Sequence, residues 1–149
     1  MLSGRATGTP KSRDGIIEAI RVLQIVYRSA VRNRTAAKNR FEAIVVSVPA
    51  DIRADLQQKP PKQHFERARR WRGRDGDDIA ARATRQALRE LARRIHLLDE
   101  QTTRIEAELD KLTKQAAPEL RDLVGVGVHT AARLLVAAGD NPERIHSEG

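Results

Sequence analysis

Apolar residues recur along this chain at steps of three and four. Ile20, Leu23, Tyr27, Ala30, Arg34, Ala37, Phe41, Ile44 and Val48 form one a/d heptad series, interrupted by charge only at Arg34. The pattern opens after Asp14, a plausible N-cap, and stops at Pro49, which predicts one helix between them. The β-branched run Ile44-Val45-Val46 would also suit the start of a strand, but the unbroken spacing favours helix. A second series is longer: Leu88, Leu91, Ile95, Leu98, Thr102, Ile105, Leu109 and Leu112 fill a and d positions, flanked by Arg94, Asp99, Glu106 and Glu108. No Gly or Pro interrupts the span from Asp77 to Ala117. A helix of about 40 residues extends ~60 Å at 1.5 Å per residue and must cover its stripe, because alone it gains little. The first helix folding back as an antiparallel hairpin would cover it, and so would a second chain. Both are expected to contribute, which makes Leu88, Leu91, Ile95, Leu98, Ile105, Leu109 and Leu112 the candidate core and homodimer residues.

Between and around these series the pattern is shorter. Residues 1–14, with Gly, Pro, Arg5, Lys11 and Arg13, read as a linker from an upstream domain. Residues 15–75 hold the first helix, a short helical piece at 50–57, the Pro60-Pro61 break and a basic connecting segment. The coiled-coil helix is assigned to 76–117, with Asp77 and Asp78 as capping residues ahead of it. Residues 118–149 begin Pro118-Glu119-Leu120-Arg121-Asp122-Leu123, pass through Val124-Gly125-Val126-Gly127 and enter a second apolar helix from Val128. That is a helix–hairpin–helix pattern, in which glycine allows positive φ and the turn's free N–H groups form an anion seat. Gly139 suits the end of that helix, and Asp140, Pro142 and Glu143 suit the capping box of another. Both ends of the chain read as cut. The fold class expected is all-α: a long antiparallel helical hairpin or coiled coil followed by a helix–hairpin–helix.

Charge adds a partner to this picture. The 149 residues carry 28 Lys and Arg against 20 Asp and Glu, a net +8, unevenly spread. Residues 1–40 hold nine basic and two acidic side chains, and 59–74 hold seven basic and only Glu66. Residues 95–149 reverse the sign, with six basic against ten acidic. A basic stretch of this kind suggests a polyanion, against the plainer alternative of a solvated Arg-rich helical surface. Aromatic residues amount to 3%, which argues against a stacking platform for unpaired bases, and the same composition argues against a compact globule. With no cysteine there is no disulfide, thiol nucleophile or thiolate-held metal. No stretch approaches the roughly 20 apolar residues of a membrane helix, and no apolar segment follows Met1 as in a secretory signal. The chain reads as soluble and cytoplasmic.

Active-site chemistry is thin. His64, His96, His129 and His146 show no metal-ligand spacing, and the serines Ser3, Ser12, Ser29, Ser47 and Ser147 have no evident base. Catalysis by this chain alone is not expected, and neither is a cofactor. Two features point to nucleic acid. Lys59, Lys62, Arg67, Arg69, Arg70, Arg72 and Arg74, with Trp71 among them, are dense enough to clamp phosphates. The hairpin at Gly125, Val126 and Gly127, with His129 and Thr130 opening the next helix, can hold a phosphate backbone without reading sequence.

Several runs carry a family resemblance. Gly4-Arg5-Ala6-Thr7, Pro10-Lys11-Ser12-Arg13-Asp14-Gly15 and Glu18-Ala19-Ile20-Arg21-Val22-Leu23 resemble the junction in DEDD transposases of bacterial insertion sequences, the IS-one-ten family. Arg28-Ser29-Ala30-Val31, Ala43-Ile44-Val45-Val46 before Pro49, and Ala83-Thr84 leading to Leu88-Arg89-Glu90-Leu91-Ala92-Arg93-Arg94 continue it. Leu123-Val124-Gly125-Val126-Gly127 and Ala137-Ala138-Gly139-Asp140-Asn141-Pro142-Glu143-Arg144 are similar to the start of that family's C-terminal module. The resemblance implies a piece of a recombinase used in DNA transposition. In the family, four acidic residues of an upstream resolvase-like domain bind divalent metal, and a serine of the C-terminal module is catalytic. The first would lie before Met1 and the second beyond Gly149, so neither maps onto a residue here. The family's handling of DNA, and of a guide RNA encoded by the element, can still rest partly on this region. The reading is therefore a transposase fragment that grips DNA or guide RNA and self-associates. A stand-alone basic helical nucleic-acid-binding protein and a pure coiled-coil interaction protein are its alternatives.

Overall fold

The computed structural model describes residues 8–140, with side chains over 15–139. The capping box expected at 140–143 and the start of the expected linker, residues 1–7, lie outside the residues so described. Within them the chain forms helices and turns and no strand. Helix α1 spans Gly8–Val46, α2 Ala50–Gln57, α3 His64–Arg69, α4 Ile79–Ala116, α5 Pro118–Asp122 and α6 Val128–Asp140, with one 3-10 turn at Pro61–Gln63. The all-α class follows, with α1 packed antiparallel against α4. Helix α1 starts at Gly8, ahead of the expected cap Asp14. A proline in the first turn explains why the earlier start is possible: Pro10 lacks an N–H that this turn leaves unpaired in any case.

The chain divides into two compact units, to which α1 and α4 each contribute a half. The first is Ser29–Thr102. Its core joins Ala37, Phe41 and Val48 with Ile52 and Leu56 of α2, Ala68 of α3, and Ala81, Leu88, Ala92 and Ile95 of α4. Phe41 meets Phe65 edge-on at 4.9 Å between ring centroids, the arrangement that aromatic quadrupoles prefer. The second unit contains the residues up to Arg28 and those from Thr103 on. There Ile20 packs with Leu109, Ala132 and Leu135, flanked by Leu23, Ile105, Leu112, Leu120 and Val128. A composition that argued against a compact globule thus still furnishes two cores. Small residues make this possible: Ala30, Ala37, Ala92, Ala131 and Ala132 are all buried and allow helix backbones to approach closely.

The buried line of α4 keeps every second position of the leucine pattern, Leu88, Ile95, Thr102 and Leu109, and moves one residue on from Leu91 and Leu112 to Ala92 and Thr113. Its most enclosed residues are Leu88, Ala92, Ile95, Thr102, Leu109 and Thr113. Leu91, Leu98, Ile105 and Leu112 are half-buried along one flank. Thr102 and Thr113 are tolerated inside because each hydroxyl donates back to its own helix, to the carbonyls of Asp99 and Leu109. The loops are closed by specific donors. Arg53 Nη2 donates to the Val46 carbonyl at 2.8 Å, satisfying the C-terminus of α1. Gly76, at φ 91°, makes the turn before α4, and Asp78 Oδ1 accepts the Ala81 N–H at 2.7 Å as the expected cap.

Candidate functional site

The basic segment is held by α2, α3 and α4 of the Ser29–Thr102 unit. That unit carries 17 Lys and Arg against 10 Asp and Glu, a net +7. Its seven singled-out cations do not share one role. Arg67 donates to Asp55 at 2.5 Å and to Gln58 at 3.2 Å, which ties α3 to α2. Arg69 donates to Glu66 at 2.7 Å. That hydrogen bond pushes the Glu66 carboxyl below its usual range and raises the Arg69 guanidinium, each stabilising the other's charge. Arg70 and Arg74 stand 3.8 Å from Glu66 and Asp51 and are largely exposed, so their charge remains available. Lys59, Lys62 and Arg72 are exposed, with no ion pair among the described residues.

Beneath them lies a buried anchor that sequence reasoning passed over. The Arg85 side chain, 8% exposed, donates through Nε to Asp77 at 3.0 Å and through Nη2 to Asp51 at 3.3 Å, with Asp55 at 4.0 Å. Its guanidinium carbon stands 5.3 Å from the centroid of the Trp71 ring. Three carboxylates and an indole converging on one guanidinium hold the start of α4, α2 and the 67–74 segment together. The available signal was an arginine falling on the apolar face, four residues after Ala81 and three before Leu88.

The segment encloses an open groove of about 580 Å³, lined by Lys59, Gln63, Glu66, Arg67, Arg70, Trp71 and Arg72. Glu66 is the only carboxylate in that lining and is shared between Arg69 and, at 3.8 Å, Arg70, so the groove carries a net positive charge from Lys59, Arg67, Arg70 and Arg72. Lys62 and Arg74 are not among its lining residues. His96 stands 3.4 Å from Glu66 and 3.2 Å from Glu100, and His64 shares a 2.9 Å contact with the Lys59 carbonyl. Among the described residues no three His, Asp or Glu side chains gather in the manner of a metal site.

The hairpin belongs to the other unit. Gly125 adopts φ 82°, the left-handed conformation its place in the turn demands, whereas Gly127 does not. The Val126 N–H donates to the Leu123 carbonyl at 3.2 Å, and the Ala131 N–H donates to the Gly127 carbonyl at 3.0 Å to open α6. Val126, His129 and Thr130 are half-buried, while Gly125 and Gly127 are exposed. The His129 ring stacks on Tyr27 with centroids 4.3 Å apart, and its Nε2 stands 3.4 Å from Glu106 without forming a hydrogen bond. A second pocket, about 240 Å³, lies between these parts of α1 and α6.

Among the described residues no helix is long and apolar enough to cross a membrane. Comparison with family models, curated proteins and solved structures found no match for the chain.

Proposed function

We propose that this chain is the central region of an insertion-sequence transposase of the IS-one-ten type, gripping nucleic-acid backbone in a cell's cytoplasm without cutting it. The residue resemblance supplies the family. One observation supports the grip: Lys59, Arg67, Arg70 and Arg72 line a single open groove whose one carboxylate, Glu66, is already shared between Arg69 and Arg70. Phosphates fit this arrangement because each neutralised charge releases condensed counterions, and backbone contacts need no base-specific geometry. Arg67 and Arg69 act as supports for the groove, and Lys62 and Arg74 extend its positive field. Residues 118–149 correspond, in this reading, to the opening of the C-terminal module, and divalent metal belongs to the upstream acidic residues. No catalytic role falls on any residue of this chain.

Self-association is part of the same proposal. Leu88, Ile95 and Leu109 are consumed by packing within the chain, so a second copy would engage Leu97, which is 65% exposed, and its half-buried neighbour Leu98.

Fluorescence anisotropy with a DNA duplex and a structured RNA, titrated from about 50 to 400 mM salt, tests the grip. Duplex binding that weakens linearly with log salt is expected, at roughly −0.9 per phosphate contact. The Arg70→Glu/Arg72→Glu variant should bind about tenfold or more weakly, since two phosphate contacts become repulsions. Arg40→Glu/Arg94→Glu, which alters net charge equally at exposed positions outside the groove, should lose less. Tighter RNA binding would favour the guide-RNA role. No binding at the lowest salt would leave the coiled-coil interaction protein as the better reading.

A further inference from the structure

The pocket beside α6 contains an enclosed polar residue. Gln24 lies one turn after Ile20 on the inward side of α1 and is only 6% exposed. Among the described residues its carboxamide has no hydrogen-bond partner. The residue is enclosed but the amide itself keeps access to solvent through the pocket it lines, so water or a ligand can meet it there. Gln24 lines the pocket of about 240 Å³, which has room for several waters at about 30 Å³ each.

The other walls are cationic or aromatic. Arg28 follows Gln24 by four residues and Arg133 follows His129 by four, so each pair shares one helix face. Both arginines are exposed, line the pocket, and have no ion pair among the described residues. Tyr27 stacks on the imidazole of His129 and fixes its plane. Glu106 is the carboxylate against this imidazole, 3.4 Å away, and it does not line the pocket. His129 also stands in the first turn of the 13-residue α6, where the positive end of the helix dipole lies. Two guanidiniums without an ion pair among the described residues, an amide opening only onto the pocket and a helix N-terminus together suit an oxyanion. Guanidinium forks match the geometry of phosphate oxygens, and the carboxamide adds a neutral N–H donor.

We propose that Gln24, Arg28, His129 and Arg133 form a phosphate-binding site. It relocates the anion seat of the hairpin from the Gly-x-Gly turn itself to side chains of α1 and α6. The site uses none of the cations of the 59–74 segment, so it stands or falls independently of the groove. Its phosphate can be that of a nucleic-acid backbone or a free phosphate, and both present the same chemistry.

NMR of the full chain distinguishes these sources. Inorganic phosphate, titrated at fixed pH against sodium chloride of equal ionic strength, should shift the Gln24 side-chain amide and the His129 ring saturably. Arg28→Gln and Arg133→Gln should each weaken that response about tenfold, as loss of a charge-assisted contact does. Arg104→Gln, at an exposed position of α4 outside the pocket, should leave it unchanged. An unaltered remainder of each variant's spectrum establishes that the fold is intact. A short DNA duplex that displaces inorganic phosphate from wild type, and does so less well from Arg133→Gln, identifies the backbone as the source. A duplex that leaves the phosphate signals in place identifies a site for free phosphate. Absence of a saturable shift, an equal shift with chloride, or an equal loss in Arg104→Gln would overturn the proposal.

Discussion

Arg34 Nη1 donates to Asp99 Oδ1 at 3.0 Å, joining residues 65 positions apart. The one charge in α1's apolar series is thereby answered by a carboxylate on α4. Both side chains keep partial access to water, 29% for Arg34 and 49% for Asp99, so neither charge is stranded in the core. The pair stabilises little by itself, but a slipped register would set Arg34 against apolar side chains, which is how a charge at a heptad core position selects one alignment. Asp99→Ala should lower stability to urea by about 0.5–1 kcal/mol, and Arg34→Leu should change it by no more than about 1 kcal/mol. A loss above about 2 kcal/mol from either would mean that the pair is energetically central.

The offset of the buried line on α4 makes a contrast of neighbours. Ala92 is fully buried and Leu91 only half-buried. Ala92→Leu should cost about 1–3 kcal/mol through overpacking, whereas Leu91→Ala should fall near the low end of the roughly 2–5 kcal/mol range for leucine truncation. Phe41→Ala, which empties a site 1% exposed, should cost about 3–5 kcal/mol. Urea unfolding of the three variants measures the order. A Leu91→Ala cost matching that of Phe41→Ala would place Leu91, rather than Ala92, at the centre of the core.

Two glycines of one turn should respond differently. Gly125 has φ 82°, so Gly125→Val places a β-branched residue in a conformation that costs L-residues roughly 1–2 kcal/mol or more. Gly127 has no positive φ, and a Cβ there meets nothing within 4 Å. Gly127→Ala should therefore change the melting temperature little. Thermal melts of both variants test this, and equal losses would contradict the turn geometry.

Acid should loosen the end of α4. Asp110 accepts from Lys114 at 2.9 Å and from Arg121 at 2.6 Å. The Lys114 hydrogen bond, aided by the charges of Lys114 and Arg121, holds its carboxyl below the usual aspartate range. A group depressed in the folded state contributes stability above its unfolded value, about 3.9, and that contribution is lost as pH falls through the lower folded value. The Asp110 carboxyl resonance should titrate below the ordinary aspartate pH. Asp110→Asn should remove this part of the acid dependence and leave the pH dependence near neutrality unchanged, because the carboxyl is ionised in both folded and unfolded chains there. An Asp110 that titrates at the ordinary value would refute the coupling.

Self-association through Leu97 and Leu98 separates assembly from folding. Leu97→Asp/Leu98→Asp should shift sedimentation toward the monomer with helix content retained. Ile105→Asp should instead reduce helix content, because Ile105 packs on the core formed by Ile20 and Leu109. A dimer persisting in Leu97→Asp/Leu98→Asp would place any interface elsewhere.

Helices were legible wherever periodicity is local. The 20–48 series, the uninterrupted span to Ala117, the short piece at 50–57 and the Asp78 cap all depend on residues within a few turns of one another, and each is found where its pattern lies. The start of α1 was less legible, because Pro10 and the glycines around it suit both a loop and a first helical turn. Among the candidate contacts, the density of cations over 59–74 was visible, but their division was not. Arg67 and Arg69 look like Arg70 and Arg72 in a string of letters, and only the positions of Asp55 and Glu66 make supports of the first pair.

The sequence by itself determined the helical class, the two long amphipathic helices and the places where the chain turns, because spacing, capping and glycine act over short distances. Tertiary structure alone decided which face of α4 is fully enclosed, which arginines are spent on carboxylates, and that Gln24, Arg28, His129 and Arg133 line one pocket. Those outcomes depend on contacts between residues as much as a hundred positions apart, where packing of small against large side chains and the pairing of particular charges leave no periodic trace in the chain.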